Sequence, residues 1–561
     1  MDFTLDAYAA RSCPVKTHHH FHPGMVRSSE PVAIPRLPGA AEFSAAAIAR
    51  LIAGAAEVVD LRASEASGSE ASGSEAAEEA CLAAMEAGAE VIIGGLLPRD
   101  WAGHRQGRPE LLVRDPAGGY VPGTFKFQRI VDSRKDDQPF SYSTLDHITD
   151  RRTGTGWRYR WHWRWANAVQ LAHLWRLLES VGHAAVSGPT GIVVGNEVTC
   201  GDGPLVAWLD LTEACVPAPP ALATTSDGPR SVGALERYDV EFAERVRLAE
   251  TAAAAAPDDP PLLAPVVNHE CSYCVWWTTC RPQLDDDDLS LRISKSPLDA
   301  HEIGVLRGAG ITTVRDLAVA DLEALLPDYL PQVQHRFGAE DRIRLAQRRS
   351  RLLHHGRQLD RLTSGPIELP RAELEIDVDI ETSRDDRVYL WGFWVDDGVH
   401  EPYYRSFAGF EDLDEDQEQE LARSAMRWLR EIVDGRSSLV FHYSDYELIR
   451  LQRLTRPGDE VLEWANGYAR EHFIDLFALV RTHFFGANGL GLKVVASAGA
   501  GFHWRDDDPG GLNSMIWFDE AVHGEDPEAR EQATQRVLDY NEDDVRATWA
   551  LRRWLRQLDE S

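Results

Sequence analysis

No apolar run in this chain approaches the ~20 residues that a membrane-spanning helix needs. Nor do its first residues show the charged-then-apolar pattern of a secretory signal. The expectation is a soluble, cytoplasmic protein with no membrane partner. Cysteine is scarce and odd in number, seven in 561 residues, which argues against a secreted disulfide framework. Positive charge is in deficit, with 58 Lys and Arg against 90 Asp and Glu and a net charge of −32. Phosphate binding needs Lys and Arg, so a nucleic-acid ligand would have to find a local basic groove. No Gly-x4-Gly-Lys-Ser/Thr loop is present, so any ATPase or helicase activity would belong to a partner.

Apolar residues make up 43% of the chain, enough for real cores, and the length suggests more than one domain. Near the start stand Cys13, a histidine group (His18, His19, His20, His22) and an Ala-rich helix. The histidines read as a flexible surface tract, with metal binding as the alternative. Residues 64–75 (SEASGSEASGSE) form a small repeat with no apolar face to bury and read as a flexible loop. A helical pattern over 76–87 and a strand over 90–97 follow. Strands over 110–114 and 120–130 flank an Ala-Gly-Gly turn. An amphipathic helix over 166–180 carries Gln170, residues 193–206 are strand-rich, and 239–255 is helical. This α/β domain closes near Leu284.

Residues 151–164 (RRTGTGWRYRWHWR) interleave Arg with aromatics, the composition of single-strand binders; the alternative is an amphipathic edge packed by tryptophans. Four aspartates, Asp285 to Asp288, mark a solvated joint. Residues 290–365 are mostly helical. Within them 306–317 (LRGAGITTVRDL) has the shape helix, Gly-x-Gly turn, helix, whose turn amides could hold a phosphate, or which is an ordinary helical spacer. In the last part strands are expected at 373–382, 388–396, 401–407 and 438–443, with helices at 414–433, 445–454, 459–470 and 474–484 and one starting before Tyr540. That order suggests a mixed sheet flanked by helices.

Residues 376–382 (IDVDIET) alternate apolar and acidic side chains, as a buried strand with one polar face does. Residues i and i+2 of a strand share a face, so Asp377, Asp379 and Glu381 project together. Carboxylates crowded on a core strand repel unless something positive sits between them. A divalent metal is the simplest remedy, and two hard cations clamped by carboxylates is a phosphodiester-cleaving arrangement. Solvated acids on a strand edge are the other reading.

A second cluster is Cys271, Cys274 and Cys280, spaced C-x2-C-x5-C. Three thiolates this close suggest soft-metal ligation, and zinc or a cubane needs a fourth ligand. Cys81, within a helix, and Cys200 and Cys215, flanking a strand segment, read as small core residues. Cys13, before a proline near the start, is left as the fourth.

One early cysteine followed by C-x2-C-x5-C at the end of the domain resembles the iron–sulfur RecB-type nucleases of the PD-(D/E)XK type. The resemblance implies a [4Fe–4S] cluster on Cys13, Cys271, Cys274 and Cys280 that staples the domain's two ends, with Zn²⁺ as the alternative. Residues 107–113 (GRPELLV) resemble that family's second motif, with Glu110 as its acid. Residues 120–129 (YVPGTFKFQR) resemble the third, with Lys126 as its lysine, and Gln170 resembles the glutamine of the downstream helix. The family carries an acid two residues before the lysine. Here that residue is Thr124, and a hydroxyl cannot match a carboxylate as a metal ligand. The expectation for this domain is nucleic-acid binding, with residual cutting at most.

Residues 440–447 (VFHYSDYE) resemble the second exonuclease motif of the DnaQ-like, ribonuclease-H-like superfamily. Glu447 falls where the motif has Asp, and His442 and Tyr443 where it has a polar pair. Residues 540–544 (YNEDD) resemble the third motif, and a helix puts Tyr540 and Asp544 on one face. The resemblance implies that Asp379, Glu381, Glu447 and Asp544 hold two Mg²⁺ or Mn²⁺ ions and that Tyr540 orients the attacking water. Asp377 and Asp475 read as supporting or structural. The stretch most resembles the YprB-like predicted exonuclease branch, including 489–493 (GLGLK) and Gly511-Leu512.

The combined order resembles a predicted RecB-like nuclease family. The expected fold class is α/β multidomain: a restriction-endonuclease-like RecB-type α/β domain over residues 1–284, a helical, helix-hairpin-helix-like region over 290–365, and a ribonuclease-H-like mixed-sheet α/β domain over 370–560. The implied activity is that of a metal-dependent exonuclease, 3′→5′ by the superfamily's direction, acting on DNA at single strands or ends, with a helicase as a partner. The alternative is a non-catalytic nucleic-acid-binding adaptor in DNA repair or recombination. A redox protein would follow from the cysteines alone and would need a second redox centre.

Overall fold

In the computed structural model the described residues are 2–28, 39–54, 57–62, 70–200, 203–223 and 231–558. They form two compact units. The first comprises Met1–Leu291, Leu298–Thr313 and Ala320–Ile343, and the second Arg292–Pro297, Val314–Val319 and Arg344–Ser561. No helix among the described residues is long and apolar enough to cross a membrane.

The first unit is built on a mixed eight-stranded sheet. Its strands are β1 (Val58–Asp60), β2 (Val91–Ile93), β3 (Leu111–Arg114), β4 (Tyr120–Lys126), β5 (Phe140–Thr144), β6 (His147–Gly154), β7 (Thr190–Cys200) and β8 (Gly203–Asp210). Their order is β1-β2-β3-β4-β7-β8-β5-β6. Helices α1 (Pro14–Phe21), α2 (Ala40–Gly54), α3 (Glu70–Glu86), α4 (Trp161–Ser180) and α5 (Ala234–Ala253) complete it. Strands β4 and β7 pair in parallel with Thr124 opposite Val193, so the chain between them must cross over, and α4 lies in that crossover. Every residue from 167 to 178 of α4 except Arg176 is buried. Val169, Leu171 and Trp175 join the main core, while Leu174, Leu177 and Leu178 pack with Cys81, Met85 and Leu112 in a second one. A helix buried on nearly every face is what two flanking cores require.

Two sequence expectations fail here. The repeat at 64–75 does not stay a loop: α3 begins at Glu70, the Ala and Glu of the repeat being good helix formers. Residues 64–69 of it lie outside the described residues. The histidine tract is not a surface tract either. It forms α1, whose His18 and His19 are 0% and 1% exposed, with His22 just beyond it at 2%. Packing against Trp276 and Cys280 supplies the partners that its polar composition did not reveal.

Helices α6 (Ala300–Gly308), α7 (Val314–Val319), α8 (Leu322–Tyr329) and α9 (Ala339–His354) follow. Between α6 and α7 the chain turns at Gly310, whose φ of +79° suits glycine. The capping box at Asp299 starts α6: its carboxylate accepts from His301 N and Glu302 N at 2.9 and 2.8 Å.

The second unit has a five-stranded sheet of β9 (Leu374–Thr382), β10 (Val388–Asp396), β11 (Tyr403–Ala408), β12 (Ser438–His442) and β13 (Phe473–Asp475), in the order β11-β10-β9-β12-β13. The first three are antiparallel, and β12 and β13 add in parallel. Around it lie α10 (Glu415–Val433), α11 (Tyr446–Leu454), α12 (Glu460–His472), α13 (Gly511–His523) and α14 (Pro527–Gln557). The alternation in β9 is realised on both faces. Leu374, Ile376, Val378 and Ile380 pack with Ala422, Met426 and Leu429 of α10. The acids between them face α14 and α13. The three-residue strand β13 was not expected from the sequence and caps the parallel edge.

Candidate active site

Central strand β9 and the long helix α14 place the acids. Asp379, Glu381 and Asp544 each bring a carboxylate oxygen within 4.8 Å of the others. Glu381 and Asp544 are buried and Asp379 is half-buried. Burial and the neighbouring charges push Asp379 far above the usual carboxylate range and hold Glu381 up at about 8. Burial raises Asp544 as well, with Lys493 and the indole of Trp504 pulling the other way. Three crowded acids that resist ionising together are the donor set that a hard divalent cation resolves.

Each acid is held by a named donor. Asn541 Nδ2 donates to Asp379 at 2.8 Å, and Tyr404 in turn donates to Asn541 Oδ1 at 2.8 Å. Ser514 donates to Glu381 at 2.7 Å, and Ser514 and Tyr389 share a hydrogen bond of 2.9 Å. Trp504 Nε1 donates to Asp544 at 2.6 Å. Lys493 Nζ donates to the Tyr540 hydroxyl at 2.7 Å, and that hydroxyl bonds Asp544. Burial, then the charge of Asp544, raises the Tyr540 phenol far above its normal range, so it stays protonated.

Glu447, at the start of α11, is buried but stands outside the converged trio. Burial raises its pKa, and its charge contributes to raising Asp379's. His442 Nδ1 lies 3.6 Å from Glu447 Oε2, ion-pair range but too far for a hydrogen bond, and that oxygen has no hydrogen-bond partner among the described residues. An orphaned buried carboxylate oxygen beside an acid trio fits a missing cation. Asp475 caps a helix, accepting from Phe477 N at 2.8 Å and Ser444 N at 3.1 Å. Asp377 is bound by Arg552. Both sit in supporting places.

Ser514, Asn541, Trp504 and Tyr404 were not singled out from the sequence. Asn541 had a signal, since it adjoins Tyr540, and Ser514 lies three residues beyond Gly511. Gly392 also matters. It pairs with Asp379 across the sheet, and a Cβ there would lie 1.7 Å from Asn541 Oδ1. Only glycine lets Asn541 reach over β10 to Asp379.

In the first unit Glu110, Thr124, Lys126 and Gln170 come together. Thr124 Oγ1 donates to Glu110 at 2.5 Å, and Phe125 N donates to the same oxygen at 2.7 Å. Lys126 Nζ donates to Gln170 at 3.3 Å. Burial lowers the Lys126 pKa, with Glu110 opposing. Thr124 and Phe125 thus both use lone pairs of one Glu110 oxygen.

The cysteines also converge. Cys13, Cys271, Cys274 and Cys280 line one pocket of about 390 Å³ with Lys16 and Trp276. Burial pushes the Cys280 thiol up to about 12 and raises Cys13 and Cys271. Cys81 is buried in α3, where burial raises its thiol to about 11, and Cys215 is half-buried. The Cys200 side chain lies outside what is described.

Residues 377–556 match the family model described as RNase_H superfamily. The match covers roughly a third of the chain and contains all four acids and Tyr540. No curated protein and no solved structure matches. The second unit therefore carries a ribonuclease-H-like domain, a nuclease fold, with an acidic cluster between its central strand and α14.

Proposed function

We propose that this protein is a metal-dependent exonuclease acting on DNA, with its reaction centre at Asp379, Glu381, Glu447 and Asp544. The supporting observation is the convergence of Asp379, Glu381 and Asp544 within 4.8 Å in a buried site. Two Mg²⁺ or Mn²⁺ ions held by the four acids would activate a water and stabilise the leaving oxygen. The rest falls to the chain itself. Asn541 and Ser514 fix the carboxylates of Asp379 and Glu381 on β9. Lys493 donates to the Tyr540 hydroxyl, which leaves the phenol's own proton for Asp544 or for an incoming water. Tyr540 then orients that water without losing its proton.

In this proposal the first unit is a RecB-like domain that binds nucleic acid. The Thr124–Glu110 hydrogen bond favours binding over cutting there. A [4Fe–4S] cluster on Cys13, Cys271, Cys274 and Cys280 would join the start of the unit to its end. Among the described residues only the acid trio brings three or more ligand atoms within 4.8 Å, so the four sulfurs are spread more widely than that. A tetrahedral zinc with Zn–S bonds of about 2.3 Å needs sulfurs about 3.8 Å apart. The spread favours the larger group.

The test is an assay on single-stranded DNA with Mn²⁺, using protein purified without oxygen, for wild type, Asp379→Ala and Lys126→Ala. Loss in Asp379→Ala alone supports the reading. Loss in Lys126→Ala alone would move the chemistry to the first unit. A wild type that cuts neither DNA nor RNA leaves the adaptor.

A further inference from the structure

A protein with a net charge of −32 must concentrate its cations to hold a phosphate chain. The Arg-rich stretch at 151–164 does not do this cleanly. Arg160 pairs with Asp132 at 3.3 Å, as Arg129 does at 3.8 Å, and Arg152 pairs with Asp150 at 2.5 Å. The second unit holds a better candidate. Arg344, Arg348 and Arg351 on α9, with His355 and Arg357 just past its end, line a groove of about 1010 Å³. The steps of four, three and four residues put the first four on one helix face, and all five are exposed. Asp360 is the one carboxylate among the lining residues. It bridges Arg348 at 2.9 Å and Arg357 at 3.5 Å.

Helix-dipole compensation explains cations in the last turn of a helix. It does not explain Arg344 and Arg348, which lie further back. Arg348 also pairs with Asp360 and stacks on Phe485, and Arg351 donates to Ala318 O at 3.2 Å, but Arg344, Arg348 and Arg351 all stay exposed. The groove is also tied to the acid cluster. The Arg348 guanidinium lies 4.4 Å over the Phe485 ring, and Arg349 donates to Ala487 O at 3.2 Å. Phe485 is eight residues before Lys493, whose ammonium donates to Tyr540. Eight residues reach at most about 29 Å, or about eight phosphates at duplex spacing.

We propose that the Arg344–Arg348–Arg351–His355–Arg357 groove is a phosphate-backbone track that holds a nucleic-acid strand running to the acid cluster of the same unit. The destination of that strand rests on the nuclease reading above; the charge chemistry of the track does not. The experiment is equilibrium binding of a fluorescein-labelled single-stranded oligonucleotide to the full chain in EDTA, across a NaCl series. Each single-strand phosphate contact contributes about 0.7 to the slope of log K against log salt. The Arg344→Gln, Arg351→Gln, Arg357→Gln triple variant is expected to bind more weakly, with a slope shallower by about 2. The matching Arg→Lys triple is expected to keep most of the wild-type slope, which separates lost charge from lost fold. Binding is read in EDTA, without turnover, so a failed cutting assay leaves this result standing. A Gln triple with wild-type affinity and slope would overturn the track, as would a Lys triple as defective as the Gln one.

Discussion

The Arg552 guanidinium sits with Nε 3.1 Å from both carboxylate oxygens of Asp377, in the fully buried middle of the second unit. This pair is one rung of a longer ladder. Along β9, Glu375, Asp377, Asp379 and Glu381 share a face at steps of about 6.6 Å. Along α14, Arg556, Arg552, Thr548 and Asp544 share a face at steps of about 6 Å. The rows run in opposite directions and nearly in register. Arg556 meets Glu375 at 2.7 Å and Arg552 meets Asp377, whereas Asp379 and Glu381 meet another acid, Asp544. The strand's acid face is neutralised by arginines at one end and crowded by a third acid at the other.

Arg552 is therefore expected to be needed for folding and to take no part in chemistry. Replacing it with Met strands Asp377 and part of Glu375 in the core, at a cost of about 3–5 kcal/mol for a broken buried pair. Denaturant unfolding measures this. Adding Asp377→Leu is expected to recover much of the loss, because an apolar pair of similar volume removes the uncompensated charge.

At the open end the sign reverses. Removing one of the crowded acids relieves repulsion, so Asp379→Asn is expected to raise the melting temperature of metal-free protein. Mn²⁺ is expected to raise the wild-type melting temperature and to leave Asp379→Asn nearly unmoved, since binding to the folded state alone stabilises it. Calorimetry with and without the ion checks both. A variant that melts lower without metal would mean that the acids are already paired.

Much of this was legible in the residues. The two-residue alternation of 376–382 fixed which side chains share a face, and the four-residue step from Tyr540 to Asp544 fixed the facing helix. The division of labour between the acids was not legible. It depends on Arg552, 175 positions from Asp377 in sequence, and no local pattern pairs the two. The histidine tract shows the same limit from the other side. Polar composition suggests a surface, but His19 stands 3.6 Å from Cys280, 261 positions away. Glu447 aligned with a motif by position, while its setting apart with His442 is a matter of tertiary packing.

Gly392 offers a test of support for the acids that leaves them intact. Gly392→Ala would place a methyl where Asn541 Oδ1 now sits and push Asn541 off Asp379. Loss of such an outer partner typically costs about 10–100-fold in metal affinity or activity. The expected result is a raised Mn²⁺ requirement, with turnover recovering at high ion concentration. A loss of rate that no amount of Mn²⁺ restores would place the effect elsewhere.

The first unit carries its own pH signature, at His173 in α4. Arg105 donates to the Tyr238 hydroxyl at 3.1 Å; Tyr238 donates to His173 Nδ1 at 2.9 Å; His173 Nε2 donates to Gln106 O at 2.9 Å. The chain is satisfied only with a neutral imidazole. Burial lowers the His173 pKa from 6.5 to about 4. A depressed folded pKa gives stability that is complete above the unfolded value and is lost as pH falls through the folded one. The window is pH 6.5 down to about 4, and the loss is about 3 kcal/mol. Unfolding measured across that window is expected to show it, and His173→Gln is expected to flatten the profile.

Thr124 is the sharpest single test of the first unit. Its hydroxyl occupies an oxygen of Glu110, with Lys126 and Gln170 alongside. Thr124→Asp would set a second carboxylate against Glu110, two residues before Lys126. Two adjacent acids repel in the absence of a cation and bind one when it is offered. The variant is expected to lose stability without metal and regain it with Mn²⁺. If the rest of the site is intact, it also gains a Mn²⁺-dependent cutting activity that survives Asp379→Ala. Mn²⁺ stabilisation without cutting would mean that the pocket holds an ion but does not present a substrate to it. Neither effect would show that the likeness of this corner to a nuclease site stops at its residue types.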